Sequence, residues 1–171
     1  LEPYAKLHFP APTVVRTQRK RGILERKITF YSELQRSHSS YSSSIGSVYG
    51  QEAFLDSAEV TLGYDGQKVQ SAAGTAPSQY QGGTLYRLER DLGAEKKAMA
   101  LLESLNLRPI QKVYKNVYIP PVRQSHWTLP ETGGEAQRQA WLRFVAHSIP
   151  VLREAGWEVE LSDSFRFNVS T

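Results

Sequence analysis

The chain has 171 residues, of which 40% are hydrophobic and 22% charged, a size and composition that predict one domain, or one domain with a small docked subdomain. The absence of cysteine excludes disulfides and thiolate-bound zinc within the chain. No apolar run approaches the roughly 20 residues of a membrane span, so we expect a cytoplasmic protein without a membrane partner.

The net charge of +4 is unevenly distributed. Residues 1–36 carry eight basic and three acidic side chains, whereas the rest of the chain carries 13 basic and 14 acidic ones. All of the positive excess therefore lies in the first fifth of the chain. Such asymmetry predicts a basic surface for a polyanion.

The first third of the chain predicts β structure. Alternating apolar and polar side chains predict strands at residues 5–9, 13–17 and 23–31. The sequence QRKRG predicts a hairpin between the last two strands, with a basic tip closed by Gly22. The alternative is a solvated loop whose charge only aids solubility. The candidate nucleic-acid contacts are the basic residues on and beside this tip, Arg16, Arg19, Lys20, Arg21, Arg26 and Lys27.

The middle of the chain alternates loops with strands. A serine-rich loop is predicted at 37–47. Residues 58–70 predict a hairpin, because Asp65-Gly66 favours a two-residue turn with positive φ at both positions. A second loop at 72–83 leads to another short strand.

The first predicted helix covers residues 91–105, where apolar residues recur at helical spacing. Asp91 is expected to cap its start, and Asn106 to adopt the left-handed conformation at its end. Pro109 prevents the helix from continuing. An extended connector rich in Tyr, Val and Pro is predicted at 110–134.

The second predicted helix runs from about residue 134 to 155, and Pro150 within it predicts a kink or two abutting helices. Gly156 is expected to end it, followed by a closing hairpin that turns at 162–164. This order of elements predicts an α+β domain, with a largely antiparallel sheet and two main helices packed on one of its faces. The buried stripe of the second helix is predicted as Arg138, Leu142, Val145, Ile149 and Leu152, with Trp141 and Phe144 beside it.

The sequence carries no recognisable pattern for nucleotide binding or catalysis. GYDGQK lacks the spacing of a phosphate-binding loop, so we expect no ATP site in this chain. Glu158 and Glu160 alternate with apolar residues and are interpreted as the solvent face of a strand. We predict no metal site and no catalytic residue, because metal-ligand spacing and a serine nucleophile motif are both lacking around the four histidines, His8, His38, His126 and His147.

Three stretches carry a further pattern: AEVTLGYDGQKV at 58–69, TLYRLERDLGAEKKAMALLESLNL at 84–107, and WLRFVAHSIPVLREAGWEVELSDSFRFNV at 141–169. Together they resemble the region that precedes the ATPase core of bacterial SWI/SNF-type helicase-like proteins. The residues that match the pattern are Tyr64, Asp65 and Gly66, then Arg90, Asp91 and Glu95, then Leu152, Gly156 and Trp157.

The resemblance covers residues 58–171 and implies that the chain, 1–171, is a single accessory domain from a larger protein. Residues 1–57 would form a basic β-rich portion. In the family, lobes that bind ATP, Mg and DNA follow this region, so the resemblance implies no cofactor in this chain. It also implies an ion pair between Arg90 and Glu95 and a core position for Trp157.

We therefore predict a non-catalytic accessory domain of a bacterial SWI/SNF-type ATP-dependent DNA helicase or translocase. Its partners would be the ATPase motor domain of the same parent chain and DNA. The alternative is a protein–protein interaction module without nucleic-acid contact, and a free-standing small enzyme is a third possibility that requires a deep polar pocket. An interaction module would use a patch of exposed aromatic residues such as Tyr41, Tyr49, Tyr114 or Tyr118.

Overall fold

The computed structural model describes residues 16–35, 53–69 and 78–168. The strand predicted at 5–9 and the serine-rich loop at 37–47 lie outside the described residues. The described strands are β1 (Arg16–Arg21), β2 (Leu24–Gln35), β3 (Ala53–Tyr64), β4 (Gln67–Lys68), β5 (Ser78–Gln81), β6 (Thr84–Glu89), β7 (Arg108–Pro109), β8 (Trp127–Thr128) and β9 (Glu158–Leu161). The described α-helices are α1 (Leu92–Ser104), α2 (Ile110–Val113), α3 (Gly134–Arg143) and α4 (Ile149–Glu154).

The larger sheet is built on β2 and β3, which pair antiparallel over their full length of 12 residues each. Its strand order is β7-β8-β3-β2-β9, with β4 paired to β3. Only β9 runs parallel to its neighbour, because the helices carry the chain back across the sheet before β9 begins. The prediction of a largely antiparallel sheet is confirmed.

The two faces of this sheet differ in composition. Even-numbered residues of β2 and β3 pair on one face, where Ile28, Phe30 and Ala58 are fully buried in the main core. Odd-numbered residues form the other face, on which Lys27 pairs with Glu160. Period-two alternation therefore determines which face receives the helices.

Helices α1, α3 and α4 pack on the even-numbered face and complete an α+β core, whereas Ile110 of α2 packs with Leu55 of the odd-numbered face. Trp141 and Phe144 contact the ring of Phe30 at centroid distances of 5.9 and 5.5 Å. Ala98 and Leu102 of α1 are buried in the same cluster. The buried residues of α3 are Gln137, Ala140 and Trp141, so the predicted stripe was wrong at Arg138, which is exposed.

Both main helical segments end in the same hydrogen-bonded motif. At the end of α1, Asn106 has a φ of 72°, and the Leu107 amide donates to the Leu102 carbonyl. After α4, Gly156 has a φ of 92°, and the Trp157 amide donates to the Leu152 carbonyl. This 6→1 bond identifies Schellman motifs at both ends. The left-handed Asn106 and the helix end at Gly156 were both predicted.

The second predicted helix is interrupted as Pro150 indicated. A π-helical turn at Phe144–Ser148 separates α3 from α4. Proline has no amide hydrogen to donate, and a wider turn before it accommodates the missing bond.

Four predicted elements differ in the structure. The predicted loop at 72–83 contains strand β5, which joins β6 through a turn at Gly82 and Gly83. The predicted connector at 110–134 holds α2, a 3₁₀ turn and β8. Described residues after β9 form turns and no second strand, because a hydrogen bond from Ser162 to Phe30 O and the burial of Phe165 and Phe167 fix this segment locally.

The fourth difference concerns the basic segment. β1 does not pair with β2: it runs parallel to β6 instead, from Arg16 beside Thr84 to Arg21 beside Glu89. The predicted basic hairpin tip is therefore itself a strand. Parallel pairing requires a partner far along the chain, which local turn patterns do not reveal.

Candidate nucleic-acid interface and the buried polar clusters

The small sheet consists of β1, β6 and β5, with β6 in the middle. All six side chains of β1 are exposed. The three strands carry five basic residues, Arg16, Arg19, Lys20, Arg21 and Arg87, and one acidic residue, Glu89. The small sheet therefore carries a net positive charge on strands with regular side-chain spacing.

The outer face of the small sheet is defined by strand register. Leu88 is 1% exposed and belongs to the main core, so its neighbours Arg87 and Glu89 point away from that core. Arg19 pairs with Arg87 in register, which brings two exposed guanidinium side chains side by side on this outer face. Tyr80, 63% exposed, lies on the same face beside Leu85.

The acidic groups near this basic surface neutralise it only in part. Arg19 lies 3.5 Å from Glu89, and Lys20 lies 3.9 Å from Asp65, with all four side chains about half exposed or more. Exposed pairs of this kind contribute roughly 0–1 kcal/mol. Arg87 forms no ion pair within the described part of the chain.

The structure separates the six predicted contacts into two groups. Arg16, Arg19, Lys20 and Arg21 lie on β1, whereas Arg26 and Lys27 lie on β2 in the larger sheet. Lys27 forms an ion pair with Glu160 at 3.2 Å, and this partner raises the pKa of Lys27. The Arg26 side chain donates to the carbonyl of Leu24. These two residues are not part of the small sheet, while Arg87, which was not predicted, is.

A second cluster joins two motifs that are distant in the sequence. Arg90 donates to both carboxylate oxygens of Glu95, from Nε at 3.0 Å and from Nη2 at 2.6 Å. Tyr64 donates its hydroxyl to the same carboxylate at 2.7 Å, and the Asp91 amide donates to that hydroxyl. Asp91 also accepts from the Ala94 amide and caps α1 as predicted. The cluster fixes the start of α1 on β3.

The electrostatics of this cluster follow from its hydrogen bonds and burial. The Arg90 hydrogen bonds lower the pKa of Glu95. Burial, together with the hydrogen bond to Glu95, raises the pKa of Tyr64 to about 12. Glu95 is therefore a charged and fully partnered group, which is a structural role.

A third cluster surrounds Asp56, which is completely buried on β3. Ser32 donates to Asp56 Oδ1 at 2.6 Å, and Gln137 donates to Oδ2 at 2.7 Å. Arg166 binds the carboxylate through both Nε and Nη2, and its guanidinium lies 4.5 Å from the ring centroid of Phe54. This cluster could not be predicted from the sequence, because Asp56 occupies an ordinary position in an alternating strand pattern.

A serine–histidine pair lies on the odd-numbered face of the larger sheet. Ser57 Oγ is 2.9 Å from His126 Nδ1, and Glu59 is 3.9 Å from His126 Nε2. Burial lowers the pKa of His126, and so does the neighbouring Arg123. A nucleophilic serine must reach its substrate, whereas Ser57 is 0% exposed and His126 only 2%. The pair therefore serves packing.

The structure also shows where the remaining residues discussed in the sequence analysis lie. Trp157 is 4% exposed and lies in the core. Asp65 and Gly66 both have positive φ in the turn between β3 and β4, as predicted. Glu158 and Glu160 are exposed on β9. Among the described residues, no group of three or more His, Asp or Glu side chains is arranged to hold a metal ion.

Comparison with protein-family models, with curated proteins and with solved structures finds no match for this chain. Among the helices that the structure describes, none has both the length and the apolar character needed to cross a bilayer.

Proposed function

We propose that the chain is a non-catalytic accessory domain that contacts nucleic acid through the outer face of its small sheet. The observation that carries this proposal is the in-register pair of Arg19 and Arg87. Like charges directly opposite each other on neighbouring strands destabilise a sheet. A bound phosphate would turn this repulsion into two favourable contacts.

The rest of the outer face supports the same ligand. Side chains on one face of a strand recur every two residues, about 6.6 Å apart, so β1 presents Arg19 and Arg21 as successive cations. Tyr80 adds an exposed ring on which a base could stack. Basic side chains combined with exposed aromatic rings are typical of single-strand binding surfaces.

The proposal includes a parent protein of the bacterial SWI/SNF type, an ATP-dependent DNA helicase or translocase. Its support is the resemblance of the sequence motifs and the contact between two of the three, since the Asp91 amide donates to the Tyr64 hydroxyl and Tyr64 donates to Glu95 of α1. In that setting the domain is cytoplasmic and docks on the ATPase motor, which would hold the ATP and Mg. It would guide DNA and perform no chemistry of its own.

The test is binding of the full chain to a short single-stranded DNA across a salt series. We expect log K to fall against log salt with a slope of at most about −2.1, since single strands contribute about −0.7 per phosphate contacted and the outer face offers three cations, Arg19, Arg21 and Arg87. The double variant Arg19→Glu and Arg87→Glu should reduce that slope by about 1.4 or more.

A matched control carries the same charge change elsewhere. Lys97 and Arg153 are exposed on α1 and α4, and the double variant Lys97→Glu and Arg153→Glu should bind with nearly the wild-type slope. Equal losses in both double variants would show that net charge alone governs binding, and would refute a specific role for the small sheet.

A protein–protein interaction module is the second candidate, and one observation favours it. The connector after α2 exposes three apolar or aromatic side chains close together in the sequence, Val117 at 45%, Tyr118 at 77% and Val122 at 72%. Of the tyrosines predicted for such a patch, Tyr118 is exposed and Tyr114 packs against a small core cluster. Tyr41 and Tyr49 lie outside the described residues.

A further inference from the structure

A small pocket lies between the end of α1 and the π-helical turn. Its volume is about 200 Å³, below the roughly 300–1,000 Å³ typical of sites for drug-sized ligands. Its apolar walls are formed by Leu105, Leu129, Ala140 and Phe144. The size suits a molecule no larger than a free amino acid.

Glu131 contributes an unpartnered acid to this pocket. Its Oε2 atom is shielded from solvent and has no hydrogen-bond partner among the described residues. A buried acceptor without a partner costs about 1–3 kcal/mol, and more when it is charged. Such a group in a native protein requires an explanation, and a donor supplied by a ligand is one.

A guanidinium group and an imidazole ring line the same pocket without satisfying that oxygen. Arg143 and His147 both contribute to its lining, yet Arg143 forms no ion pair within the described residues. His147 and Ser148 belong to the π-helical turn, a local geometry that is frequent at functional sites. The pocket therefore presents the carboxyl group of Glu131 and the guanidinium of Arg143, which form no ion pair with each other.

We propose that this pocket binds a small zwitterion, an α-amino acid with an apolar side chain. Its ammonium group would donate to Glu131, its carboxylate would accept from Arg143, and its side chain would contact Leu105 and Phe144. Rotation about the last side-chain torsion of Glu131, which is broad for a carboxyl group, can present either oxygen to the ligand.

The test titrates the ¹⁵N-labelled full chain with leucine, isoamylammonium and 4-methylpentanoate, and follows the backbone amides by NMR. The last two probes are the leucine skeleton without its carboxylate and without its ammonium group. The variants are Glu131→Gln and Arg143→Gln, with Glu135→Gln as control, because Glu135 is an exposed acid in the first turn of α3.

We expect leucine to shift the amides of Glu131, Phe144 and His147 in a saturable way. Either pocket variant should weaken leucine binding about tenfold, the size of one charge-assisted hydrogen bond. Isoamylammonium should lose affinity only in Glu131→Gln, and 4-methylpentanoate only in Arg143→Gln. The Glu135→Gln control should behave like the wild type.

Two results would overturn the proposal. One is the absence of saturable shifts near the pocket at tens of millimolar leucine, with the wild-type spectrum showing a folded chain. The other is equal weakening of all three probes by either variant, which would indicate altered packing instead of recognition of two opposite charges. Neither result bears on DNA binding by the small sheet, which lies elsewhere in the fold.

Discussion

At the scale of single residues, buried polar side chains of this protein form hydrogen bonds and ion pairs between segments that are distant in the sequence. Asp56 holds Arg166, 110 residues away, and Glu95 holds Tyr64, 31 residues away. Removing one partner of a buried ion pair typically destabilises a protein by 3–5 kcal/mol, since the remaining charge stays buried. These groups therefore contribute to the stability of the fold.

His126 gives a prediction for the pH dependence of stability. Burial and Arg123 lower its pKa, against the smaller opposing effects of Glu59 and Glu33. Between that lowered pKa and 6.5, the unfolded chain binds more protons than the folded one, so stability falls as the pH falls below about 6.5. His126→Gln should remove up to about 1.4 kcal/mol per pH unit of this slope.

The measurement is urea unfolding of both proteins at several pH values between 5 and 7.5. If His126→Gln kept the wild-type slope, protonation of this buried ring would not be the cause of acid destabilisation.

Some of these residue roles could be predicted from the sequence and others could not. Asp91 as helix cap is a local feature that the sequence predicts, and the ion pair between Arg90 and Glu95 was implied by the family resemblance. The roles of Tyr64 and Asp56 depend on partners from other elements. Tyr64 bonds to Glu95 of α1, and Asp56 bonds to Gln137 of α3 and to Arg166 in the last turn. Local pattern cannot identify such partners.

At the scale of elements, the residues at turns and helix ends predicted one hairpin turn and two helix ends. They did not predict which strands pair when the strands are far apart in the sequence. The Asp65-Gly66 turn and the Asn106 and Gly156 helix ends each depend on the conformation of one or two residues. The pairing of β1 with β6 depends on contacts across 68 positions in the chain, such as that between Arg19 and Arg87. The local pattern therefore predicts a turn at QRKRG, whereas Arg16–Arg21 form the edge strand β1.

Gly22 links β1 to the larger sheet and gives a prediction at this scale. A Cβ atom at Gly22 would lie 2.6 Å from Cδ1 of Tyr64 and 3.3 Å from the Glu89 carbonyl oxygen. The Tyr64 ring is fully buried and held by its hydroxyl, so it cannot move aside easily. Gly22→Ala should destabilise the protein by about 1–3 kcal/mol, as overpacking does.

Gly93→Ala is the matched control for this substitution. Gly93 lies in the first turn of α1, and a Cβ there would meet only Asp91 Oδ1, at an ordinary 3.6 Å. Alanine in place of a helical glycine should stabilise by about 0.5–1 kcal/mol. Thermal unfolding of both variants checks the pair, and an unchanged midpoint for Gly22→Ala would contradict the close packing on Tyr64.

At the scale of the whole molecule, the exposed basic residues of β1 and the helix-covered core occupy different parts of the fold. The larger sheet buries its even-numbered face under the helices. The small sheet exposes every side chain of β1 and places Arg87 and Tyr80 on the same outer face. The separation allows the basic surface to contact a polyanion without disturbing the core.

The most direct test of nucleic-acid contact is an NMR map of the binding surface. The ¹⁵N-labelled full chain is titrated with an unlabelled oligothymidylate at low salt, and the perturbed backbone amides are located in the structure. Nucleic-acid contact by the small sheet predicts shifts concentrated at Arg19, Arg87 and Tyr80 and their neighbours. Saturable shifts confined to Val117–Val122, or no shifts at all, would contradict it.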